Sequence, residues 1–573
     1  MLHRITLPRS AGRARVASFA LALASSAVLA ACGGGDGGGG GGGTPTGPSP
    51  TATLAAVGAT QFTGSPGYAL DDSVAVRVTG STGAALANAQ VSFAVGGGGG
   101  TVSPATATTD AQGIAKARWT MGAEGANTLS ASLPAFASAA PVAFSATAAW
   151  GPETALSVVS GNGQITAAGC APLAPVVLKV ADASGAPVAN ASVYLNVTAG
   201  GGHLAAEKVT ANAQGLVQVP WTLDAAGAHT VQASLRSRTP AQVSLAASAV
   251  AAAPGGVAAA GPTLVDTRSC KAYRFVGLAR SGLESWPTGD DRLFDPVMAR
   301  EDFARIRAWG SNIVRIPLNP AYWVKTASHY DAGYPAQVDS AIARAHSQGL
   351  DVVIDMHFSD RGDPTNRAYR LERMADANHG IVFWKEVAER YKNDGRVLFE
   401  LYNEPHDISW ETWLNGGPSG DGYQTAGYQQ LYEAVRSTGA RNLVIVNGLN
   451  WGYDMAQAGT HMLNGYNVIY GTHVYDWPEK QPARWDQDFG YLAARVPVMI
   501  GEFGTTNCGT AYYDWVMDYA DQKNISWISW AWYAPPADRQ DLLCSFAALL
   551  TDWNGTPSPM GAVVKAHMAR YPR

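Results

Sequence analysis

The 573-residue sequence is poor in charged residues and in cysteine, and it has no strong excess of either charge. Charged residues make up 15% of the chain, 40 basic side chains nearly balance 45 acidic ones, and the formal net charge is -5. A chain without a concentrated basic field has no surface that would attract nucleic acid, so we expect no nucleic-acid partner. The length suggests about three or four domains.

The first apolar run is too short to cross a membrane comfortably. It covers residues 16–28, follows a stretch that contains Arg4 and Arg15, and ends at Leu29-Ala30-Ala31-Cys32. This pattern is typical of a signal peptide, which has a charged start, a short apolar run and small residues before the cleavage point. We assign the signal peptide to residues 1–31. The last four residues resemble the lipobox of bacterial lipoproteins, which implies a lipid attached to Cys32. The alternative is a plain signal-peptidase site that happens to precede a cysteine.

Lipidation would hold the protein at a membrane surface without a spanning helix. Gly33 follows Cys32 where an aspartate would imply retention elsewhere, so by resemblance to lipoprotein sorting we expect an exported lipoprotein on the outer membrane or cell surface, or released from it. Residues 32–51 are a glycine run followed by a proline-rich segment, and this composition is typical of a flexible tether.

Export favours disulfide formation among the four remaining cysteines, Cys170, Cys270, Cys508 and Cys544. Four cysteines allow three pairings. Cys508 and Cys544 both fall in the last loops of the C-terminal domain described below, so we favour that bridge. Cys170 and Cys270 would then join the second small domain to the C-terminal domain, but the sequence does not settle their pairing.

An internal repeat covers much of the first half of the chain. The segment from Gly83 to Asn88 returns at Gly185 to Asn190, and Trp119 returns as Trp221, each at an offset of 102 residues. Short runs with alternating apolar residues, separated by Gly- and Asn-rich turns, predict two all-β sandwiches at residues 52–149 and 150–250. They resemble the bacterial immunoglobulin-like domains of invasin- and intimin-type surface proteins. We interpret them as spacers, with adhesion or weak glycan binding as the alternative.

After a small-residue linker at residues 251–262, the pattern changes to apolar strands that alternate with amphipathic helices. The predicted strands are Phe275–Leu278, Ile313–Pro317, Val352–Met356, Val397–Tyr402, Leu443–Val446, Val468–Gly471, Val498–Ile500 and Trp527–Ser529. Eight such strands predict a (β/α)8 TIM barrel at residues 263–573. A doubly wound sheet is the alternative, but no Gly-rich nucleotide loop opens the first helix.

Active sites of such barrels lie where the strands end, so polar residues at those positions are the candidates for chemistry. In chain order they are Arg315, His357, Asn403, Glu404, His473, Tyr475, Glu502 and Trp530. The set and its order resemble the functional positions of glycoside hydrolase family 5, the cellulase family. The resemblance implies that Glu404 is the acid/base and Glu502 the nucleophile. It implies that the other six bind substrate or support these two.

The chemistry of glycoside cleavage points to the same two glutamates without the resemblance. Cleavage of a glycosidic bond needs one carboxyl to protonate the leaving oxygen and one carboxylate at the anomeric carbon. Carboxyls about 5.5 Å apart give direct attack and retained configuration. We expect their mutual repulsion to keep Glu404 protonated, and Arg315 and Tyr475 to donate to Glu502. Asn403 is expected to bond the sugar 2-hydroxyl, with His357, His473 and Trp530 lining the subsite.

A metal site that starts from His357, Asp355 and Asp360 is the alternative, but no paired histidines follow the first strand, where barrel metallohydrolases place theirs. We therefore expect no metal and no organic cofactor. Four tryptophans in predicted loops, Trp286, Trp451, Trp477 and Trp532, are assigned equally to sugar binding and to packing.

The sequence thus predicts a retaining hydrolase of β-linked polysaccharide, and we favour an endo-β-1,4-glucanase that acts as a monomer. A β-mannanase or another β-glycanase of the same family is the alternative, as is a non-catalytic glycan-binding adhesin. Transglycosylation would use the same residues. The eight shared positions serve all these substrates, so neither the glycan nor endo versus exo action is readable.

Overall fold

The computed structural model describes residues 51–238, 240–286, 297–360 and 371–571. The predicted signal peptide, Cys32 and nearly all of the predicted tether lie outside these residues. Among the described residues, no helix is both long enough and apolar enough to cross a membrane.

The first β-rich region has nine strands in two sheets. The strands are β1 (Ala52–Ala56), β2 (Gln61–Gly64), β3 (Val74–Gly80), β4 (Gln90–Val95), β5 (Gly100–Ser103), β6 (Thr106–Thr108), β7 (Ile114–Met121), β8 (Gly125–Ser132) and β9 (Val142–Ala148). One sheet has the order β1-β3-β7-β5 and the other β2-β9-β8-β4-β6. Alternate residues point to opposite faces of a strand, and the inward ones, among them Val76, Phe93 and Trp119, form one apolar core.

The second β-rich region has ten strands in three sheets, the largest of which has the order β11-β19-β18-β13-β15. Its strands are β10 (Ala155–Ser160), β11 (Gln164–Ala167), β12 (Val176–Ala181), β13 (Ser192–Ala199), β14 (His203–Leu204), β15 (Lys208–Thr210), β16 (Leu216–Val219), β17 (Trp221–Thr222), β18 (Gly227–Leu235) and β19 (Gln242–Val250). The repeat is visible in three dimensions: Trp119 and Trp221 are both buried in the cores, and Asn88 and Asn190 both adopt the left-handed conformation, at φ 60° and 61°. Both regions are rich in strands, as predicted, whereas their immunoglobulin-like character stays a prediction.

The C-terminal region is a closed barrel of eight parallel strands, which confirms the predicted barrel fold of this region. Its strands are β23 (Val276–Ala279), β24 (Ile313–Leu318), β25 (Asp351–Met356), β26 (Val397–Glu400), β29 (Val444–Asn447), β30 (Val468–Tyr475), β31 (Val498–Gly504) and β32 (Ser526–Ser529). Nearly every residue of these strands is buried, because helices cover the outside and side chains fill the inside.

Helices follow most barrel strands. They are α1 (Arg300–Trp309), α2 (Pro320–Trp323), α3 (Tyr334–Ser347), α4 (Ala377–Tyr391), α5 (Trp410–Asn415), α6 (Tyr428–Arg436), α7 (Leu449–Gly452), α8 (Pro482–Asp488), α9 (Ala511–Lys523), α10 (Leu542–Ser545) and α11 (Pro559–Met568). A short hairpin of β27 (Gly417–Pro418) and β28 (Gln424–Thr425) follows α5.

A three-stranded sheet joins the second β-rich region to the barrel. It consists of β20 (Val257–Ala260), β21 (Thr263–Asp266) and β22 (Lys271–Tyr273). A disulfide between Cys170 and Cys270 crosses the same junction, with Cα atoms 5.4 Å apart. Asn467, just before β30, donates to the Ala251 carbonyl over 2.8 Å. The junction is therefore built on the barrel face where strands begin, opposite the face where they end.

Candidate active site

Three of the predicted site residues lie inside barrel strands instead of after them, because β30 and β31 are longer than the sequence predicts. β30 runs through His473 to Tyr475, and its register against β31 shifts between Thr472 and His473. β31 runs through Glu502 to Gly504. These extensions direct the side chains of His473, Tyr475 and Glu502 toward the mouth of the barrel.

Glu502 is held by two donors, one on each carboxylate oxygen. Nη1 of Arg315 donates to Oε1 over 2.6 Å, and the Tyr475 hydroxyl donates to Oε2 over 2.8 Å. Arg315 is fully buried, and Glu502 is only 3% exposed. Such charge-assisted hydrogen bonds fix the carboxylate in one orientation, facing the mouth.

Glu404 pairs with His473, whose Nδ1 lies 3.0 Å from Oε1 of Glu404. Burial acts to raise the pKa of Glu404, but the hydrogen bond and charge of His473, together with the Lys480 ammonium, outweigh burial and leave the pKa below its ordinary value. Burial acts to lower the pKa of His473, but the nearby carboxylates outweigh it and raise the pKa to about 9. The expectation that repulsion from Glu502 raises the pKa of Glu404 is therefore wrong: the contact with His473 lowers the pKa of Glu404, while the pKa of His473 is raised.

The two glutamates come close together at the mouth. One oxygen of Glu404, one oxygen of Glu502 and one ring nitrogen of His473 all lie within 4.8 Å of one another. The two carboxyls are thus closer than the about 6.5–9.5 Å typical of inverting glycosidases, as expected for an enzyme that retains configuration, whose carboxyl groups lie about 5–5.5 Å apart.

His357 and Trp530 form a flat wall beside the two glutamates. Their ring centroids are 5.5 Å apart, and the planes are within 7° of parallel. Nδ1 of His357 lies 2.7 Å from Asp355, which fixes the ring, and burial lowers the pKa of His357. A neutral ring beside an aromatic face suits contact with an uncharged sugar.

Asn403 contacts the same arginine as Glu502. Its side-chain oxygen accepts from Nη2 of Arg315 over 2.7 Å. This bond leaves the side-chain amide nitrogen as the donor available to a ligand.

Two residues that the sequence analysis missed lie directly beneath this layer. Glu400 accepts hydrogen bonds from Nε and Nη2 of Arg315 over 2.6 and 3.0 Å. Asn447 donates to Glu400 over 2.6 Å and to the Asn403 carbonyl over 2.8 Å. Glu400 could have been found from the sequence, because it is a charged residue within the apolar run of β26. Nothing in the sequence distinguished Asn447 from an ordinary residue at a strand end.

The mouth opens into a cavity of about 500 Å³. Its walls include the two glutamates, His357, Tyr475 and Trp530, and also Trp451, Trp477 and Lys480. Of the four tryptophans assigned equally to sugar binding and packing, Trp451 and Trp477 thus face the cavity. Trp532 is fully buried against Trp309, and the indole of Trp286 donates to Asp331.

Lys480 was also missed by the sequence analysis. It is 1% exposed, and its ammonium lies 4.8 Å from the Trp477 ring centroid and 5.1 Å from that of Tyr453. Burial lowers its pKa to about 8.

A second disulfide, between Cys508 and Cys544, ties the loop after β31 to helix α10 after β32, with Cα atoms 4.7 Å apart. Ser545 and Phe546, directly after Cys544, line the cavity. Thr506, in the loop after β31, lines the cavity too. The disulfide therefore connects two segments of the mouth that both supply part of its wall.

Among the described residues, two groups bring three potential metal ligands together. They are Glu404, His473 and Glu502 in the site, and Asp518, Asp521 and His567 between α9 and α11. In the first group, Arg315 forms an ion pair with Glu502. In the second, Arg274 pairs with Asp521 at 2.7 Å and Arg570 pairs with Asp518 at 3.2 Å. Guanidinium groups at these carboxylates disfavour a second cation there.

Comparison with known proteins agrees with this geometry. Residues 280–535 match the family model described as Cellulase (glycosyl hydrolase family 5). The match begins after β23 and ends after β32, so it covers seven of the eight barrel strands.

The curated relatives are distant in sequence, at about a quarter of aligned residues identical. Endoglucanase A of Evansella cellulosilytica is 25% identical over 232 residues, which is 39% of this chain and 43% of that protein. Endoglucanase N of Pectobacterium atrosepticum is 24% identical over 301 residues, 50% of this chain and 61% of that protein. The chain thus spans about half the length of these relatives. A crystal structure of a beta-glucanase from Saccharophagus degradans is 21% identical, with a TM-score of 0.43, and the alignment covers 55% of this chain and 93% of that one.

Proposed function

We propose that this chain is a retaining endo-β-1,4-glucanase in which Glu404 is the acid/base and Glu502 the nucleophile. The observation that carries the proposal is the approach of Glu404 and Glu502 oxygens within 4.8 Å at the mouth of the barrel. The family match over residues 280–535 supports hydrolysis of a β-glycan. The names of the relatives favour glucan among those substrates.

In the first step, Glu502 attacks the anomeric carbon while the bond to the leaving oxygen breaks. Glu404 gives the leaving oxygen the proton that it shares with His473 through their 3.0 Å contact. The products are a glycosyl ester on Glu502 and a shortened chain with a new hydroxyl. Arg315 and Tyr475 hold Glu502 in line for this attack.

In the second step, Glu404 acts as base toward a water molecule. The water oxygen attacks the anomeric carbon from the face that the leaving group has vacated, the ester bond to Glu502 breaks, and the water proton returns to the Glu404–His473 pair. Two inversions restore the original configuration. No other reactant is required.

The test is reducing-sugar release by the full chain on carboxymethylcellulose, mixed-linkage glucan, xyloglucan and mannan, with the Glu502→Ala variant beside it. Glu389→Gln is the matched control, because Glu389 is an exposed glutamate that pairs with Lys392 on the outside of the barrel. Release from the glucans that disappears in Glu502→Ala and persists in Glu389→Gln supports the proposal. Release from mannan alone would make the chain a mannanase, and binding without release from any glycan would favour the adhesin.

We also propose that the protein is exported, lipid-anchored through Cys32, monomeric and carried on two immunoglobulin-like spacers. The motif Leu29-Ala30-Ala31-Cys32 and the repeat of 102 residues support this proposal. Expression of the wild type and of Cys32→Ser in a bacterial host tests it by membrane fractionation and mass spectrometry. A Cys32→Ser protein that stays in the membrane fraction would contradict the anchor.

A further inference from the structure

The charged layer beneath the two glutamates has a centre that the proposed mechanism does not use. Glu400 is 1% exposed and lies on β26, four residues before Glu404. Burying a carboxylate is costly unless charged and hydrogen-bonding partners compensate. Each of its oxygens does have such a partner.

One oxygen of Glu400 faces Nε of Arg315 at 2.6 Å, and the other faces Nη2 at 3.0 Å. This bidentate contact fixes the plane of the guanidinium. The remaining donors of Arg315 then point to Glu502 and Asn403, which lie 2.6 and 2.7 Å away. A guanidinium held less firmly would not reach both groups at once.

The same carboxylate also faces His473. Oε1 of Glu400 is 3.6 Å from Nε2 of His473, on the side of the ring opposite Glu404. Two further carboxylates contact this ring, Glu404 after β26 at 3.0 Å and Glu502 on β31 at 3.8 Å. Asp355 on β25 acts on it through its charge, and Arg315 on β24 pairs with Glu400 and Glu502. Glu400 thus contributes to the negative field that keeps the imidazole protonated.

We infer that Glu400 is a positioning residue that acts through Arg315 on the nucleophile and through His473 on the acid/base. This inference rests on the proposed function. Arg315 lowers the pKa of Glu400 to about 2, against the effect of burial, so the residue stays anionic throughout the working range. It has no access to the cavity, whose walls are formed by the residues above it.

The test compares Glu400→Gln with Glu400→Asp in the full chain, using the pH dependence of kcat/KM on a soluble glucan. Glutamine keeps the shape but removes the charge, so His473 loses its proton at lower pH and the alkaline limb should move down by about one pH unit or more. Aspartate keeps the charge but cannot span both Arg315 nitrogens. It should therefore lower kcat with little change in KM and leave the limb in place.

The inference is overturned if folded Glu400→Gln has the wild-type alkaline limb, or if both variants shift it equally. If Glu400→Gln fails to fold, Glu400→Asp decides, and wild-type kcat in that variant would overturn the inference. The control is again Glu389→Gln, which removes a distant exposed charge. Loss of all activity in Glu502→Ala alongside an unaffected Glu400→Gln would refute this inference and leave the proposed function standing.

Discussion

His473 Nδ1 lies between the two glutamates of the mouth, 3.0 Å from Oε1 of Glu404 and 3.8 Å from Oε2 of Glu502. In this position a single imidazolium interacts with both carboxylates. The ring therefore offsets the repulsion between the two carboxylates. Substrate binding changes this balance, because a sugar replaces water around both carboxylates.

The roles of the two glutamates can be separated by the products that azide gives. With an activated β-glucoside, Glu502→Ala should lose several orders of magnitude in kcat, and azide should restore turnover by occupying the space of the missing carboxylate. It then attacks from that face and gives the α-glycosyl azide. Glu404→Ala should form the ester on Glu502, and azide should then give the β-glycosyl azide. Proton NMR of the products distinguishes the two anomers, and identical anomers from both variants would refute the assignment.

Trp477 should bind glycan from the wall of the cavity. Trp477 is 38% exposed and lines the cavity, so its ring is accessible to a sugar bound there. Trp477→Ala should raise KM on soluble glucan about fivefold, equivalent to about 1 kcal/mol, with little change in kcat. Trp515 on α9 is the matched control, since it is 52% exposed and does not line this cavity. An equal rise in KM for Trp515→Ala would show that the effect is not specific to the cavity.

The disulfide between Cys508 and Cys544 should matter for substrate binding. Without it, the segment that carries Ser545 and Phe546 is no longer tied to the loop after β31. The double substitution to serine should raise KM several-fold at nearly constant kcat, because the paired glutamates lie on strands. The same double substitution at Cys170 and Cys270 is the control and should leave steady-state kinetics unchanged, since that bridge lies at the opposite face. Unchanged KM in the first variant would refute the prediction.

His379 should make barrel stability depend on pH. Nδ1 of His379 lies 3.5 Å from the Asp376 carboxylate at the start of α4 and 2.9 Å from the Asp360 carbonyl oxygen. These contacts, with that to Asp376 the larger, outweigh burial and raise the pKa of His379 to about 9. A raised folded-state pKa stabilises the fold fully below the unfolded value of about 6.5, and this stabilisation is lost as pH rises through about 9. His379→Gln should therefore lower the urea midpoint of the barrel transition at pH 6 and have little effect at pH 9.5. Equal losses at both pH values would contradict this mechanism.

Much of the barrel and its mouth was readable from the sequence, because a buried parallel strand is an uninterrupted apolar run and a barrel strand directs polar residues to one end. The apolar pattern predicts where Val352–Met356 lies to within one residue, as Asp351–Met356. It underestimates β30 and β31, because His473 and Glu502 are polar residues within the strands themselves.

The layer beneath the mouth was not readable. Glu400 and Asn447 are polar residues inside the barrel, and in a sequence they look like any polar residue at the edge of an apolar run. Their significance comes from closure, which brings β24, β26 and β29 side by side and lets Arg315 reach across to Glu400. The lowered pKa of Glu404 was not predicted for the same reason, because closure of the barrel brings His473 to within 3.0 Å of it.

The junction between the second β-rich region and the barrel has a consequence for how a polymer is approached. Gly256 and Gly395 come so close there that a Cβ on Gly256 would lie 2.5 Å from the Gly395 carbonyl oxygen, so the backbone itself forms the contact. Together with the Asn467 bonds and the Cys170–Cys270 bridge, this contact attaches the second β-rich region to the face of the barrel opposite its mouth. A protein held through its second β-rich region would therefore present its cleft on the side away from the attachment.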